Sequence, residues 1–149
     1  MSELKPGIDY IGVSTAFYCH NGNGLFLMHK RSQKCRDEKG RWDNGGGKLE
    51  FGLTPEENVL KELEEEYGCK GEIQEKLPVH SILREFDGVK SHWLQIPFII
   101  KVNPKEVKNN EPDKIDEIGW FKLDNLPKPY HTGSAYTLHH FKKYFDKYR

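Results

Sequence analysis

The sequence predicts an α/β fold, a mixed sandwich in which strands are flanked by two helices. Three observations predict it. The β-branched and aromatic run Tyr10–Cys19 is followed by an Asn/Gly turn and a second apolar run, Leu25–His29, the pattern of a β-hairpin. A helix with clear start and stop signals follows at Thr54. After further strand-like runs, a second helical pattern, Ser134–Tyr148, ends the chain.

The first helix carries its boundaries in its sequence. Thr54 is an N-cap candidate, and Pro55 suits the first helical position because its missing N–H has no helical partner there. Glu57 completes a Thr-x-x-Glu capping box, and Gly68 supplies the stop. We therefore expect one helix between Thr54 and Gly68.

The remaining elements are less sharply marked. The segment KRSQKCRDEKGRWDNGGG after the hairpin is polar and Gly-rich, which predicts a surface loop leading to a short strand or turn. Strands are predicted at Val79–Leu83 and Trp93–Val102, with Asp87-Gly88 as the turn between them, and a short strand at Ile118–Phe121. The terminal helix has three apolar residues on one side: Leu138, Phe141 and Phe145.

Composition limits the class of protein. A chain of 149 residues is predicted to form one domain, 1–149, with a single closed core. Lys plus Arg and Asp plus Glu both number 23, so no basic excess is present to hold a DNA or RNA polymer. A site for one small phosphate compound remains compatible with this balance.

Cysteine usage and the N-terminal sequence bear on location. Cys19, Cys35 and Cys69 match neither a disulfide framework nor zinc-site spacing, which favours a reducing compartment. The stretch MSELKPGIDYIG has no long apolar run, so it resembles neither a signal peptide nor a membrane anchor. The expectation is a cytoplasmic protein that does not bind a membrane, either a monomer or a homodimer.

The first helix is strongly acidic. Glu62, Glu65 and Glu66 are spaced i, i+3 and i+4, which places them on one helical face. A different sector holds the residues that can face a core: Val59, Leu60, Leu63 and Tyr67. By spacing alone, the acidic face is equally compatible with a solvated surface, where Lys61 would pair with Glu65 one turn away.

The glycines directly before this helix favour a functional role. Gly45, Gly46 and Gly47 allow close backbone approach or positive φ. Clustered carboxylates beside such a loop form a hard, oxygen-rich site suited to Mg²⁺, or to Mn²⁺. A bound divalent cation would offset the repulsion between the carboxylates and leave coordination positions for phosphate oxygens.

This stretch, GGGKLEFGLTPEENVLKELEEEYGC, resembles the Nudix box, G-x(5)-E-x(7)-R-E-U-x-E-E-x-G-U, where U is aliphatic. The matching positions are Gly47, Glu62, Leu63, Glu65, Glu66 and Gly68, with Cys69 at the final aliphatic position. Two positions depart from the pattern, because Leu53 replaces the first glutamate and Lys61 replaces the arginine. These two residues normally pair in the family, so their joint change avoids leaving one charge unpaired.

The resemblance implies a Nudix-type α/β/α sandwich with a mixed central sheet and a hydrolase of a nucleoside diphosphate linked to another group, X. It implies Glu65, Glu66 and the Gly46 carbonyl as ligands of Mg²⁺, and Glu62 as a further ligand or as the base. A remote acid often joins such a site. Four candidates for it follow in the sequence: Glu111, Asp113, Asp116 and Glu117.

Further candidates concern contacts with the substrate. Lys48 or Arg31 could contact a phosphate, although Lys48 fits a surface lysine equally well. The loop KPYHTGSAY lies where related enzymes acting on nucleoside triphosphates often contact the base, so Tyr130 and His131 are candidates for stacking or hydrogen bonding. The resemblance favours a nucleoside triphosphate or related nucleotide. ADP-ribose, a sugar nucleotide, a dinucleotide, or a binding module with weakened catalysis are the alternatives.

Overall fold

The computed structural model describes residues 3–149. The predicted domain, 1–149, also contains residues 1 and 2, which lie outside the described residues. The strands are β1 Gly12–His20, β2 Leu25–Arg31, β3 Trp42–Asp43, β4 Gly46–Lys48, β5 Gly71–Lys76, β6 His80–Phe86, β7 Val89–Val102 and β8 Ile115–Lys122. The helices are α1 Pro55–Tyr67, α2 Thr132–His140 and α3 Lys142–Phe145, and short 3-10 turns lie at Pro104–Glu106, Leu123–Asn125 and Asp146–Tyr148.

Within residues 3–149, one sheet of eight strands organises the molecule. Its central path runs β3-β2-β1-β7-β5, while β4 pairs with β1, β6 with β7 and β8 with β2. The β1–β7 pair is parallel, from Gly12 opposite Trp93 to His20 opposite Lys101. The other named pairs are antiparallel, which confirms the predicted mixed sheet.

Two cores form because successive side chains of a strand point to opposite faces. In β1, Phe17 and Cys19 belong to one cluster, whereas Ala16 and Tyr18 belong to the other. Helix α1 covers the first cluster with Val59, Leu63 and Tyr67, and α3 covers the second with Phe145. The α/β/α sandwich predicted from the sequence is therefore confirmed.

Helix α1 is capped as the sequence predicts. The Thr54 side chain accepts a hydrogen bond from the Glu57 amide, and the Glu57 side chain accepts one from the Thr54 amide. Gly68 adopts the left-handed conformation, φ 63°, and its N–H donates to the Glu64 carbonyl. The predicted hairpin between β1 and β2 is also present.

The prediction of one C-terminal helix over Ser134–Tyr148 was wrong in its continuity. The helix is interrupted at Phe141, whose φ of −108° and ψ of 29° leave the helical region. The interruption lets the following turn bury Phe145 in the second core. Strand β5 was not predicted, because its sequence GEIQEK carries a single large apolar residue and its place in the sheet comes from pairing with β7.

Within residues 3–149, the helices are too short or too polar to cross a membrane.

Candidate active site

The glycine segment, residues 45–47, lies next to the acidic helix α1, because strand β4 pairs with β1 and contacts α1. The Gly46 N–H donates to Glu66 Oε2 at 3.2 Å. A side chain at Gly47 would bring its Cβ within 2.5 Å of the Glu62 carboxylate. A larger residue at position 47 would therefore displace the Glu62 carboxylate from its place beside the backbone.

The carboxylates of Glu62, Glu66 and Glu111 influence one another. Burial raises the pKa of Glu66 well above its ordinary value, and the negative charges of Glu62 and Glu111 raise it further. Burial also raises the pKa of Glu62, with the repulsion from Glu65 as the next cause. These acids therefore form a partly desolvated cluster in which negative charge is electrostatically unfavourable.

Glu111 is the predicted remote acid that the fold brings to this cluster. Glu111, Glu62 and Glu66 line the same cavity, which is described below. Asp113 is exposed and lies 3.4 Å from Lys34 Nζ, while Asp116 and Glu117 are exposed on β8 and do not line the cavity. The structure thus separates Glu111 from the other three candidates.

Lys61 has a different acidic partner from the one the Nudix box provides. Its Nζ donates to both oxygens of Glu50, at 2.8 and 2.9 Å, and lies 3.1 Å from Glu65. The side chains of Lys61 and Glu50 are 43% and 44% exposed. The expectation that Leu53 and Lys61 change together to avoid an unpaired charge was incomplete, because Lys61 is still charged and is matched by Glu50.

The groups beside the glycines are carboxylate oxygens and main-chain carbonyls, which are the types of ligand that a hard divalent cation prefers. Among residues 3–149, however, no three His, Cys, Asp or Glu side chains are already gathered as a metal site. The repulsion among Glu62, Glu66 and Glu111 is the physical reason that a cation would favour their approach. The ligand roles of Glu62, Glu65, Glu66 and Gly46 accordingly remain predictions.

Arg31, a candidate for phosphate contact, is engaged within the protein. Its guanidinium donates to Asp43 at 3.2 Å, to the Asp37 carboxylate at 2.9 Å and to the Asp37 carbonyl. Although Arg31 lines the cavity, each of its three guanidinium nitrogens already donates to a protein acceptor. Lys48 also lines the cavity and is exposed, so of the two candidates it is the more accessible to a phosphate group.

The two predicted base-contact residues are placed differently from each other. Tyr130 packs against the second core, where its hydroxyl donates to Met28 Sδ at 2.7 Å, and it does not line the cavity. His131 does line the cavity, but its Nδ1 caps α2 and its Nε2 lies 3.0 Å from Glu38. The side chain of Tyr130 is thus directed toward the second core, and its predicted contact with a base remains a prediction.

A buried ionic cluster beside the cavity was missed by the sequence reasoning. Glu38 has a fully buried side chain that accepts hydrogen bonds from the Thr132 amide and hydroxyl, at 2.7 and 2.9 Å, and from Arg84. Arg84 also lies 3.4 Å from Asp37. This cluster joins the β2–β3 loop to β6 and to the start of α2. No sequence signal indicated it, because Glu38 sits in a run of charges typical of an exposed loop.

A second polar network lies beneath the glycines. The Tyr67 hydroxyl donates to the Asn44 carbonyl at 2.8 Å, so the His29 Nδ1, 2.5 Å away, must donate its proton to the same hydroxyl. Burial lowers the pKa of His29 to about 4, which keeps the imidazole neutral near pH 7. The network ties Asn44, next to the glycines, to helix α1.

The glycines, the acidic residues Glu62, Glu65, Glu66 and Glu111, and His131 border one cavity of about 1040 Å³. At one end lie the glycines and the carboxylates, and at the other lies the β6–β7 hairpin. Lysine and arginine side chains occur along its length: Lys5, Arg31, Lys34, Arg36, Lys48, Arg84 and Lys114. Opposed carboxylates and cations in one groove are the chemistry expected for a site that handles phosphate groups.

Comparisons with known proteins agree with this geometry. The NUDIX domain family matches residues 11–141. An ADP-ribose pyrophosphatase from Methanocaldococcus jannaschii is 36% identical over 125 residues, which cover 84% of this chain and 67% of that protein.

Solved structures show the same fold. A MutT NUDIX hydrolase from Burkholderia pseudomallei aligns with a TM-score of 0.77 at 29% identity, covering 88% of this chain and 98% of that one. A MutT protein from Methanosarcina mazei Go1 aligns with a TM-score of 0.67 at 25% identity, covering 92% and 94%. These matches show that this chain belongs to the Nudix family, as an enzyme that hydrolyses pyrophosphate bonds of nucleoside diphosphate derivatives.

Proposed function

We propose that this protein is a Mg²⁺-dependent hydrolase of a nucleoside diphosphate linked to a second group. The observation that carries the proposal is a set of acids in one cavity: Glu62 and Glu66 lie beside the glycines, Glu111 lines the same cavity, and cationic side chains line it too. A small nucleotide fits this arrangement better than a nucleic acid polymer, because the chain has no excess of positive charge.

Glu65, Glu66 and the Gly46 carbonyl are the proposed metal ligands, with Glu62 as a ligand or the base and Glu111 as the remote acid. The bound cation would supply Lewis-acid stabilisation of the charge that develops on the phosphate oxygens. Water adds to one phosphorus atom, the bond from that atom to the bridging oxygen breaks, and the proton of the water passes to a carboxylate. Lys48 is the proposed side chain for holding a phosphate oxygen.

Two substrate classes have support, and each has its own source. The 36% identity to an ADP-ribose pyrophosphatase favours ADP-ribose, whereas the MutT likeness and the segments GKLEFG and EPDKIDEIGWFKLDNLP favour a nucleoside triphosphate. We place ADP-ribose first, because its support comes from a relative that matches over most of this chain.

Product analysis separates the two classes. ADP-ribose and the common nucleoside triphosphates are incubated separately with the protein and Mg²⁺. Release of AMP and ribose 5-phosphate would support the first class, and release of a nucleoside monophosphate and pyrophosphate the second. Full turnover in EDTA would refute the metal requirement, and the absence of turnover on every nucleotide would refute the enzymatic proposal.

The ligand assignment is tested by substitution. Glu65→Gln and Glu66→Gln each remove a negative donor while preserving shape, so both should abolish most turnover and weaken the Mg²⁺ dependence. Glu64→Gln is the matched control, since Glu64 is an exposed neighbour on the same helix that does not line the cavity. Equal activity of the Glu66→Gln and Glu64→Gln proteins would refute the assignment.

A further inference from the structure

The end of the cavity remote from the carboxylates is formed by one face of the β6–β7 hairpin. Three cross-strand pairs face the cavity together: Phe86 with Val89, Arg84 with Ser91, and Ile82 with Trp93. They are spaced by two residues on each strand, so they share one face of the sheet. The result is a wall with apolar side chains at both ends and a polar pair between them.

Phe86 is the aromatic side chain of this wall that is available to a ligand. It is 42% exposed and stands beside Val89, which is 50% exposed. Its ring has no aromatic partner among the described residues. An exposed aromatic ring beside an apolar neighbour, inside the cavity that holds the catalytic candidates, is suited to cover a flat apolar surface.

The other rings that line the cavity are already occupied. His29 is bound to Tyr67, and His131 is bound to Glu38 while capping α2. The Trp93 indole is covered by the backbone at Gly7, where a Cβ would come within 2.2 Å of the ring. Among the described rings that line the cavity, Phe86 is therefore the one on which a ligand can stack.

The hairpin wall is held in place by the N-terminal segment. The His92 N–H donates to the Gly7 carbonyl at 2.8 Å, and Gly12 also lies directly against the Trp93 ring. On the neighbouring pair, Arg84 is fixed by Glu38 and Asp37. A wall fixed in this way loses little conformational freedom when a ligand binds, which favours affinity.

We propose that the nucleobase of the substrate stacks on Phe86 against the β6–β7 hairpin, while its pyrophosphate lies at the carboxylate end of the same cavity. This subsite rests on the proposed function, since it names where the base of that substrate binds. It differs from the base contact predicted at Tyr130, whose side chain packs against the second core. A sugar, whose surface is mostly hydroxyl groups, would gain little from Phe86 and Val89.

The test measures binding separately from catalysis. Isothermal titration calorimetry with AMP, GMP, CMP and UMP, in the presence of Mg²⁺, gives Kd for the full-length protein and its variants; ribose 5-phosphate is the probe without a base. Phe86→Ala should weaken the tightest monophosphate about tenfold, the usual scale of one base–aromatic stack. Phe86→Tyr should bind nearly as the unsubstituted protein does, and ribose 5-phosphate affinity should not change.

Leu83→Ala is the matched control, because Leu83 is exposed on the same strand but faces away from the cavity. In kinetics on the substrate found to be hydrolysed, Phe86→Ala should raise KM about tenfold with kcat changed less than about twofold. Equal nucleotide affinity of Phe86→Ala and Leu83→Ala would overturn the subsite even if the enzyme is active. Failure of every monophosphate to bind the unsubstituted protein would also overturn it, whereas base-selective binding lost in Phe86→Ala would support it even if no tested nucleotide is hydrolysed.

Discussion

Replacing Glu38 by glutamine should destabilise the protein strongly, although the residue lies in a loop. The Glu38 side chain is fully buried and faces Arg84, whose side chain is 18% exposed. Glutamine keeps the shape and one acceptor for the Thr132 amide, but removes the charge that matches Arg84. The variant therefore isolates the ionic contribution from the packing of the side chain.

The expected magnitude follows from what remains after the substitution. Breaking a buried ion pair by removing one partner costs about 3–5 kcal/mol. Asp37 stays 3.4 Å from the same Arg84 nitrogen, so the lower end, about 3 kcal/mol, is expected. For a chain of 149 residues, that lowers Tm by about 6–12 °C.

Urea unfolding monitored by circular dichroism measures this free energy, with an unchanged m-value as the check that both proteins unfold alike. Glu85→Gln is the control, since Glu85 is exposed on the same strand as Arg84, and it should change stability by less than about 0.5 kcal/mol. The double variant Glu38→Gln/Arg84→Met should lose less than the sum of the single losses, because it removes both charges. A loss below about 0.5 kcal/mol for Glu38→Gln would refute the ionic role of the buried cluster.

Three further predictions concern the site. Burial raises the pKa of Glu66, so the metal-free folded protein keeps the Glu66 carboxyl protonated to a higher pH than the unfolded chain does. Its free energy of unfolding should therefore fall as pH rises above about 4.5, with a limiting slope of about 1.4 kcal/mol per pH unit. Urea unfolding in EDTA across pH 4–8 measures this fall, which should be smaller in Glu66→Gln. Lys61→Met and Glu50→Gln should each lower kcat/KM, and their double-mutant cycle should be non-additive because the two side chains form one ion pair; additive losses would contradict the pair. Tyr130→Phe should leave KM unchanged and lower stability by about 1 kcal/mol, since it removes one hydroxyl bond to Met28, and a raised KM in the same assay would indicate that the hydroxyl hydrogen-bonds the base.

Local signals predicted the elements that depend on neighbouring residues. The capping box at Thr54 and Glu57, the stop at Gly68 and the first hairpin were all visible because their hydrogen bonds span a few positions in the chain. The box spacing located the carboxylates for the same reason, since i, i+3 and i+4 fix a helical face.

Long-range contacts were not visible in the same way. Glu38 is hydrogen-bonded to Thr132, 94 positions away in the chain, and to Arg84, 46 positions away. Nothing in the charged stretch around Glu38 indicates which of its acids is buried. Strand β5 was missed because its pairing partner, rather than its own apolar pattern, places it in the sheet. Tyr130 was assigned to the cavity by analogy of the loop, whereas its ring direction depends on packing against Met28.

The departure at Leu53 illustrates how a local change can be compensated by a neighbour. The Leu53 N–H donates to the Glu50 carbonyl at 3.2 Å, so residues 50–53 form a tight turn that carries Glu50 back toward α1. Lysine suits this arrangement because its ammonium is a compact charge on a flexible stem, able to meet Glu50 and Glu65 together. An arginine would present a planar fork that favours bidentate pairing with one carboxylate. A glutamate at position 53 would supply that carboxylate. Leu53 and Lys61 are therefore best understood with Glu50 as a third member, and this set keeps a cation beside Glu65 without the usual first glutamate of the box.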